Sequence, residues 1–427
     1  MSGRRFSYLQ SRLKQYKIEF LVGGLISIPI FLFILFAVVK NDFSVLDHSY
    51  WVGVAAYNLL IIIGVWFVLS EHQMRFSMSI VYYAIGLSLL LFFLFRGIAF
   101  TGDITLGVID GAKALWSGIN PYTENVVRHA VPNIPNETRL STYAYLPVDL
   151  FTYSILLGSM NFISSLFAGS EVPDILPGFN AFGILLSNLI FLGISTFLIR
   201  RILQSELHQA LALGVAFFTI VIWNNVCLAQ TLFFAGWYFH KKEQTNLTIT
   251  FWTLSMLAKY FAGIFIVGYI VEYVRKKKGI EIFMKSAIFG VLSLVFLFPF
   301  GIIEVINSTV FFYNTEERIA DGSFGGSLIS ELVLFLHLES IVWLFTVLGF
   351  AFILLVAFYL SDLYKRLVVT SLLSLLVISG ISAQFFPMII FILIISGKIS
   401  FLDKKEDLKA KDTIDKFNNN ISSTMPD

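Results

Sequence analysis

Residues 101–147 read TGDITLGVIDGAKALWSGINPYTENVVRHAVPNIPNETRLSTYAYLP, the longest polar interval between the apolar runs of this chain. A segment in the hydrocarbon of a bilayer holds few charges, because ionised groups are costly there. We therefore expect this interval, called the first loop from here on, to lie outside the hydrocarbon. There it can carry acids, bases and aromatic rings that stack on sugars, and we interpret it as the active-site loop of a membrane enzyme.

Composition predicts the class of protein to which this loop belongs. Apolar residues make up 57% of the 427 residues and charged residues only 14%, and the mean hydropathy is +0.80. A globule of this composition would lack the polar surface needed to face water. We therefore predict an all-α, polytopic transmembrane helical protein, with about 11–13 spans of bilayer-crossing length.

Charge and cysteine content exclude several other classes. The net charge is only +2, and the basic residues cluster in short loops, as the positive-inside rule describes for membrane proteins. This pattern does not indicate a nucleic-acid partner. The single cysteine, Cys227, allows neither an internal disulfide nor a cysteine metal cluster. Cys227 lies in an apolar run, so we expect it to pack there as an inert side chain.

The amino terminus predicts the orientation of the chain. Residues 1–17 carry five Arg and Lys residues and precede an apolar run at 18–39. We expect a cytoplasmic basic segment followed by a first span. Apolar runs at 51–70 and 77–99 supply two more spans. Three crossings from a cytoplasmic start place the first loop, residues 100–147, on the outer face.

The rest of residues 18–400 is predicted to complete the transmembrane domain. The later apolar runs predict spans at 179–199, 207–223, 227–239, 246–258, 260–274, 281–302, 341–361, 367–380 and 384–395. A polar interval at 304–340 predicts a second outer loop. Residues 401–427 are charged and poor in aromatic residues, which predicts a disordered cytoplasmic tail.

The basic turns leave two topologies open. They alternate correctly across the membrane only if residues 145–168 make no net crossing, as a re-entrant segment or a shallow hairpin. A single ordinary span over these residues is the rival interpretation. In that case residues 246–274 must form one helix to restore the alternation.

Asp103 stands at the outer end of the third predicted span. A helix that begins here places Asp103 and Asp110 on one face and Val108 and Ala112 on another, as in a helix lying along the membrane surface. Carboxylates at an apolar mouth can have raised pKa values and serve as a general base. The alternative role for Asp103 is that of a helix N-cap.

Turn signals close the first loop. Residues 118–122, GINPY, predict the end of the helix, because Gly suits a helix terminus and Pro cannot continue a helix. Residues 143–147, YAYLP, then return the chain to the bilayer. Aromatic side chains at such places are also ordinary anchors at a membrane interface.

Lys259 interrupts the apolar run at 247–274 near its midpoint. A lysine in this place is costly unless it faces a cavity or an anion, and a phosphate-bearing ligand is its natural partner. The alternative is a loop lysine whose side chain extends to the surface. Arg318, in the second outer loop, is an ordinary loop charge unless it meets the site.

Motifs for other chemistries do not occur in the chain. It has no Gly-rich phosphate loop, no HExxH pair and no GxSxG element, and its six histidines lack metal-ligand spacing. We therefore expect no metal and no cofactor.

In combination, the motifs resemble the C-fold (GT-C) glycosyltransferases that use polyprenyl-phosphate sugars. The likeness is greatest to glycosyltransferase family 87, the polyprenol-phosphate-mannose-dependent mannosyltransferases. The first loop supplies an Asp after an early span, a short helix, a G-x-N-P-Y turn and a Y-x-Y-x-P re-entry. Three later elements follow in the family's order: Ala229-Gln230 is similar to its Gly-Gln element, Ala258-Lys259-Tyr260 to its Lys-containing break, and Ala383-Gln384-Phe385-Phe386-Pro387 to its late Gln-aromatic-Pro block.

The resemblance implies a membrane enzyme that moves a hexose, mannose, from a polyprenyl-phosphate-sugar donor to a lipid- or glycan-linked acceptor on the outer face of the cell membrane. Asp103 would be the general base, with Asp110 in reserve, and transfer would proceed with inversion. Lys259 and Arg318 would bind the donor phosphate. The substrate-binding residues would be Tyr122, Tyr143, Tyr145, Gln230 and Gln384.

Two other functions remain as alternatives. A transporter or flippase of a lipid-linked sugar would explain Arg96 and Lys259 in apolar surroundings. It gives no reason for a long loop with paired carboxylates, and the chain shows no inverted repeat of the kind many transporters have. A lipid-linked glycan polymerase or ligase would share the long outer loop but would more naturally use arginines there than an acid.

Overall fold

The structure, a computed structural model, describes residues 74–76, 103–130, 138–169, 171–173, 175–203, 226–309, 342–377, 386–396 and 399–401. It is about 80% helical. The first three predicted spans, the predicted span at 207–223 and most of the second outer loop lie outside the described residues.

The described helices are numbered here in chain order, and two short 3₁₀ turns lie between them. They are α1 Asp103–Trp116, α2 Pro147–Ala168, α3 Ala181–Ile202, α4 Val226–Lys241, α5 Thr245–Ala258, the 3₁₀ turn Tyr260–Ala262, α6 Gly263–Arg275, α7 Gly279–Leu297, the 3₁₀ turn Phe298–Phe300, α8 Ile302–Thr309, α9 Val342–Tyr359, α10 Leu363–Val377 and α11 Phe386–Ile395. Helices therefore occur at each predicted later span that the structure describes.

Strands form two short pairs in the described part of the chain. Strand β1 (Met74–Phe76) pairs in parallel with β4 (Ile399–Phe401). Strand β2 (Val127–Ala130) pairs antiparallel with β3 (Thr138–Ser141) within the first loop. The β1–β4 pair joins two segments that were both predicted to be cytoplasmic. Phe401, the first residue of the predicted tail, pairs with Phe76, and the rest of that tail lies outside the described residues.

Among the described residues, three segments are long and apolar enough to cross a membrane: Pro147–Ala168, Ala181–Ile202 and Gly279–Phe300, each of 22 residues. At 1.5 Å per residue, such a helix reaches about 33 Å, compared with roughly 30 Å for the hydrocarbon core of a bilayer. Their mean hydropathies are 1.4, 2.2 and 2.0. The chain is thus a helical protein with three candidate membrane spans in its described part.

Four basic turns lie at one end of the helix assembly, which we call the basic end. The Lys241 ammonium donates a 2.6 Å hydrogen bond to the carbonyl of Ile202, next to Arg200 and Arg201. Arg275, at the end of α6, donates to the Leu360 carbonyl at 3.2 Å. The turns at 200–201, 240–242, 275–278 and 365–366 were predicted to share the cytoplasmic side, and the structure confirms that they share one end.

An ion pair between α6 and α10 also lies at the basic end. The Arg366 guanidinium lies 2.8 Å from a Glu272 carboxylate oxygen. It also donates hydrogen bonds to the Gly268 and Leu360 carbonyls. Arg366 is fully buried, so its charge is matched by a carboxylate and by backbone oxygens, as a buried charge requires.

The hairpin predicted for residues 145–168 is wrong. These residues form the unbroken helix α2, whose first residue is Pro147. Proline at the first helical position starts a helix, because it has no N–H to satisfy there. Gly158, inside α2, does not break the helix either: a Cβ at this position would lie 2.5 Å from the Trp116 ring, so the glycine makes room for that ring.

The rival interpretation, one ordinary span over residues 145–168, agrees with α2 as a candidate span, but the single helix that it required at 246–274 is wrong. Helix α5 ends at Ala258, and α6 begins at Gly263 after a 3₁₀ turn. The start of α5 and the end of α6 lie at the same cavity, which Thr245, Asn246 and Lys276 line. The two helices therefore run out from the basic end and back to it, and the turn between them, which carries Lys259, lies at the other end.

Candidate functional site

Helix α1 confirms the helix predicted at the start of the first loop. It begins at Asp103 and ends at Trp116, and Gly118 adopts a left-handed φ of 76° in the turn that follows. Its predicted place along the membrane surface stays a prediction; within the protein, nearly all of residues 105–112 are buried. They are covered by α2 and by strand β2.

One glycine of α1, Gly111, is required by this close packing, whereas a Cβ on Gly107 would make an ordinary van der Waals contact. A Cβ on Gly107 would lie 3.5 Å from the Tyr145 ring, and a Cβ on Gly111 would lie 2.5 Å from the Tyr143 ring. The second distance is shorter than carbon atoms tolerate, so only glycine fits there without a shift of the ring. Asp103 precedes Gly107 by four residues, about one helical turn, and α1 therefore places its backbone on the side near Tyr145.

The three predicted substrate-binding tyrosines form one edge-to-face cluster. The ring centroids of Tyr122 and Tyr143 are 5.6 Å apart, and those of Tyr143 and Tyr145 are 5.3 Å apart. All three side chains are buried. The Tyr122 hydroxyl donates a 2.6 Å hydrogen bond to the Tyr145 carbonyl. Tyr122 and Tyr143 thus form the packed base of the first loop.

The turn at 118–122 is attached to α8 and to the 3₁₀ turn that precedes it. Asn120 Nδ2 donates to the Phe300 carbonyl at 3.1 Å, and the Ser308 hydroxyl donates to the Tyr122 carbonyl at 3.2 Å. The rings of Tyr122 and Phe300 lie 5.1 Å apart. The first loop and the beginning of the predicted second outer loop therefore meet.

Lys259 breaks the apolar run as predicted. Helix α5 ends at Ala258, Lys259 has an extended backbone (φ −149°, ψ 114°), and the 3₁₀ turn follows. The alternative of a side chain that extends to the surface is wrong, because Lys259 is only 8% exposed. Its ammonium lies over the Tyr145 ring, 4.5 Å from the centroid. The face of an aromatic ring attracts a cation in this geometry.

Asp149 is the buried acid near this cation. It lies in the first turn of α2, where a negative charge is favourable to the helix, and it is fully buried. The Tyr143 hydroxyl donates a 2.8 Å hydrogen bond to Asp149 Oδ2. Asp149 Oδ1 has no hydrogen-bond partner among the described residues. Asp149 and Lys259 are close enough for their charges to attract each other.

The state of Tyr143 follows from its surroundings. Burial, together with the negative charge of Asp149, raises the pKa of the Tyr143 hydroxyl well above its ordinary value. The hydroxyl therefore keeps its proton at neutral pH and remains a donor to Asp149. The Tyr122 hydroxyl also keeps its proton at neutral pH, because burial raises its pKa well above the ordinary value as well.

Asp110, the reserve candidate for the base, has other partners. Its carboxylate accepts 2.8 Å hydrogen bonds from both Nε and an Nη of Arg128, and a 3.1 Å hydrogen bond from the Arg128 backbone N–H. The hydrogen bonds to Asp110 raise the pKa of the Arg128 guanidinium. This two-pronged pair ties α1 to strand β2, which supports a structural role for Asp110.

The structure therefore brings some of the predicted site residues together and does not describe others. Tyr143, Tyr145 and Lys259 meet at the base of the first loop. Gln230 is buried in the first turns of α4, and its amide nitrogen has no hydrogen-bond partner among the described residues. Arg318, Gln384 and the side chain of Asp103 lie outside the described part.

Asp149 was missed by the sequence reasoning. The signal was present: Asp149 is the only acid in the apolar stretch at 145–168, and an ionisable residue in such a stretch marks a functional site by default. In the structure it is the buried acid whose charge attracts Lys259.

Metal ligands do not cluster in the described residues, where no three or more His, Cys, Asp and Glu side chains converge. Comparisons with models of protein families, with curated proteins and with solved structures find no match for this chain. The site is therefore interpreted from its own geometry.

Proposed function

We propose that this chain is an integral-membrane glycosyltransferase of the GT-C type that transfers a hexose, mannose, from a polyprenyl-phosphate-sugar donor to a lipid- or glycan-linked acceptor. The observation that carries the proposal is the buried ammonium of Lys259. It stands at a helix break, over Tyr145 and near Asp149, at the base of the first loop. A buried cation at the mouth of an apolar helix assembly suits an anionic substrate with a lipid tail.

Lys259 would bind the phosphate of the donor. As the bond between the anomeric carbon and the phosphate oxygen breaks, negative charge develops on that oxygen, and a cation fixed beside it stabilises the transition state more than the ground state. Arg318 of the second outer loop would add a second cation. The attachment of the first loop to α8 supports this, because it brings the start of that segment to the same region.

Asp103 would be the general base. It accepts the proton of the acceptor hydroxyl while that oxygen forms its bond to the anomeric carbon and the phosphate departs from the opposite side, which inverts the configuration. The register of α1 supports this assignment, since Asp103 lies one turn before Gly107, which packs on Tyr145. Asp110 is engaged by Arg128, which leaves Asp103 as the favoured acid of the first loop.

Asp149 would act as a positioning residue. Its charge keeps Lys259 in place when no substrate is present, and its bond from Tyr143 fixes the carboxylate. Tyr145 would present the ammonium to the donor, and Gln230 and Gln384 would contact the sugar or the acceptor. The tyrosine cluster then has a scaffolding role more than the sugar-stacking role that the sequence suggested.

In this proposal the enzyme is a multi-pass protein of the cell membrane with about 11–13 spans, and its active site is on the extracytoplasmic face. The basic end faces the cytoplasm, as the positive-inside rule requires. The first loop lies at the opposite end of α5 and α6 and would face outward. The grouping of four basic turns at one end of the assembly supports this orientation.

A transporter or flippase of a lipid-linked sugar is the alternative. One observation favours it: the attraction between buried Asp149 on α2 and Lys259 between α5 and α6. Charged pairs between helices also occur along the substrate paths of transporters. A transporter would need the pair to open during each cycle, whereas the enzyme needs Lys259 alone to meet the phosphate.

Proteoliposomes separate the two functions. The purified protein is reconstituted with synthetic polyprenyl-phosphate-mannose and an acceptor lipid extract, and both sugar transfer and lipid-sugar translocation are measured. The proposal predicts transfer without net translocation, and a loss of transfer in Lys259→Met of about 10²-fold or more. Translocation of the lipid-linked sugar by an Asp103→Ala protein, with no sugar transfer by the wild type, would contradict the enzyme and support the transporter.

A further inference from the structure

A second polar site lies at the basic end, away from the first loop. It is a cavity of about 490 Å³ between the end of α4, the start of α5, the end of α6 and the start of α7. That volume is within the range of roughly 300–1,000 Å³ that small-molecule sites occupy. Helix α5 separates the cavity from Lys259 by its length of 14 residues, about 20 Å. The proposed glycosyl transfer does not use it.

Lys285 is the unusual residue of this cavity. Every residue of α7 is described, and Lys285 is the only one that is buried, with 1% of its side chain exposed. Its ammonium lies 4.2 Å from the centroid of the Tyr273 ring and 3.4 Å from a Glu281 oxygen. A buried lysine is costly unless it meets an anion. The 3.4 Å distance to Glu281 is a long contact and leaves hydrogen-bonding capacity on the ammonium.

The charges that line the cavity are balanced. Three are lysines and three are glutamates. His240 and Tyr269 also line the cavity, and the Nδ1 atom of His240 lies 3.1 Å from the hydroxyl oxygen of Tyr269. Glu272 pairs with Lys276 at 2.9 Å, and Glu281 pairs with Lys278 at 2.9 Å. A negative group alone would be repelled by the glutamates, and a positive group alone by the lysines. Such a lining therefore suits a ligand that carries both a negative and a positive group.

Glu243 is the acid in this lining for a ligand's positive group. It lies in the turn between α4 and α5, with a left-handed φ of 60°. Its side chain is exposed and makes no ion pair with another described residue. Lys285 and Glu243 thus offer a cation and an anion to one cavity.

The neighbouring face of α7 is apolar and exposed. Ile280 is 80% exposed, Phe283 76% and Val291 59%, and Met284, which is 42% exposed, also lines the cavity. Helix α7 belongs to a candidate membrane span. The polar cavity is therefore continuous with a surface that lipid chains would cover.

We propose that this cavity binds the headgroup of a phospholipid that carries both a phosphate and a primary ammonium, as phosphatidylethanolamine does. The phosphate lies against Lys285, and the ammonium is bound by Glu243. The acyl chains lie along the exposed face of α7. Cavities with basic side chains between helices at the cytoplasmic side are suited to lipid headgroups, and the glutamates select the zwitterionic class.

The test uses the full-length protein, purified in detergent and depleted of lipid. Phosphatidylethanolamine, phosphatidylcholine and phosphatidylglycerol are titrated separately, and bound lipid is counted by native mass spectrometry. We expect phosphatidylethanolamine to bind most tightly, because phosphatidylcholine has no ammonium N–H and phosphatidylglycerol has no cation. Lys285→Gln should weaken binding of phosphatidylethanolamine by about tenfold or more.

A matched control and a second variant keep the test decisive. Lys277→Gln removes the same charge from a residue that does not line the cavity, and it should leave binding unchanged. If Lys285→Gln does not fold, Glu243→Gln on the exposed turn tests the ammonium contact and should weaken phosphatidylethanolamine selectively.

Two results would overturn the proposal. Phosphatidylglycerol binding as tightly as phosphatidylethanolamine would show a general anion site. Competition by glycerophosphoethanolamine, which has no acyl chains, at the same concentration as the lipid would show a site for a soluble phosphate compound.

Discussion

The Tyr143 hydroxyl donates a hydrogen bond of 2.8 Å to Oδ2 of Asp149. This contact fixes one oxygen of a fully buried carboxylate, while Oδ1 has no hydrogen-bond partner among the described residues. The contact links the re-entry of the first loop to the first turn of α2. The charge of the same carboxylate attracts the buried ammonium of Lys259.

Removing one member of the Asp149 and Lys259 pair should destabilise the protein more than removing both. Asp149→Asn leaves Lys259 with less charge compensation in a buried place, and Lys259→Met leaves the carboxylate uncompensated. Each single change should cost on the order of 3 kcal/mol, and the double variant should be more stable than either. Thermal unfolding in detergent of all four proteins gives the comparison. Strictly additive losses would show that the two charges are not coupled.

Gly111→Ala should disrupt the base of the first loop. Alanine favours a helix by up to about 1 kcal/mol over glycine, but its Cβ would lie 2.5 Å from the Tyr143 ring, and overpacking of this kind costs about 1–3 kcal/mol. We expect a lower melting temperature. Gly193→Ala, also inside a helix but with no atom within 4 Å of the added Cβ, is the control and should be neutral or stabilising. Equal behaviour of the two would mean that Tyr143 does not pack on α1.

Asp110→Asn should lower stability without abolishing activity. The Arg128 side chain is 44% exposed and that of Asp110 9%, so solvent screening limits the loss to about 1 kcal/mol. Arg128→Gln should have a similar effect, and the two should not add, because each breaks the same contact. Unfolding curves and transfer rates measured on the same samples test this. Loss of transfer in Asp110→Asn, with Arg128→Gln active, would instead make Asp110 catalytic.

Single cysteines should report the orientation of the basic end. In a background with Cys227→Ala, a cysteine in place of Lys242 at the basic end should be protected from a membrane-impermeant thiol reagent in intact cells. A cysteine in place of Glu124, exposed in the first loop, should be labelled. Permeabilised cells serve as the control, in which both should react. Labelling of the Lys242 position alone in intact cells would invert the proposed topology.

Much of the helical pattern was predictable because it depends on local composition. A lysine in an apolar run predicts a break, and α5 does end immediately before Lys259. The end of α1 was predicted for the same kind of reason, since Gly118 supplies the left-handed backbone of the turn. These features depend on one residue and its immediate neighbours.

The remaining features of the fold and of the site depend on contacts between residues that are distant in sequence. Gly158 accommodates the Trp116 ring from another helix, and no local pattern predicts that packing. The partner of Asp110 is Arg128, which reaches it only because strand β2 lies beside α1. The role of Asp149 becomes visible once Tyr143 and Lys259 are placed around it.

The most direct test of the central claim is transfer of radiolabelled mannose from synthetic polyprenyl-phosphate-mannose to a membrane lipid extract. Wild type, Asp103→Asn and Asp110→Asn are compared at equal protein levels. Asn keeps the volume of Asp and can still cap a helix, so it removes the base and spares the fold. The account predicts transfer by the wild type and Asp110→Asn, and its loss in Asp103→Asn. A wild-type protein that transfers no mannose, glucose or galactose, or an Asp103→Asn protein that is fully active, would contradict it.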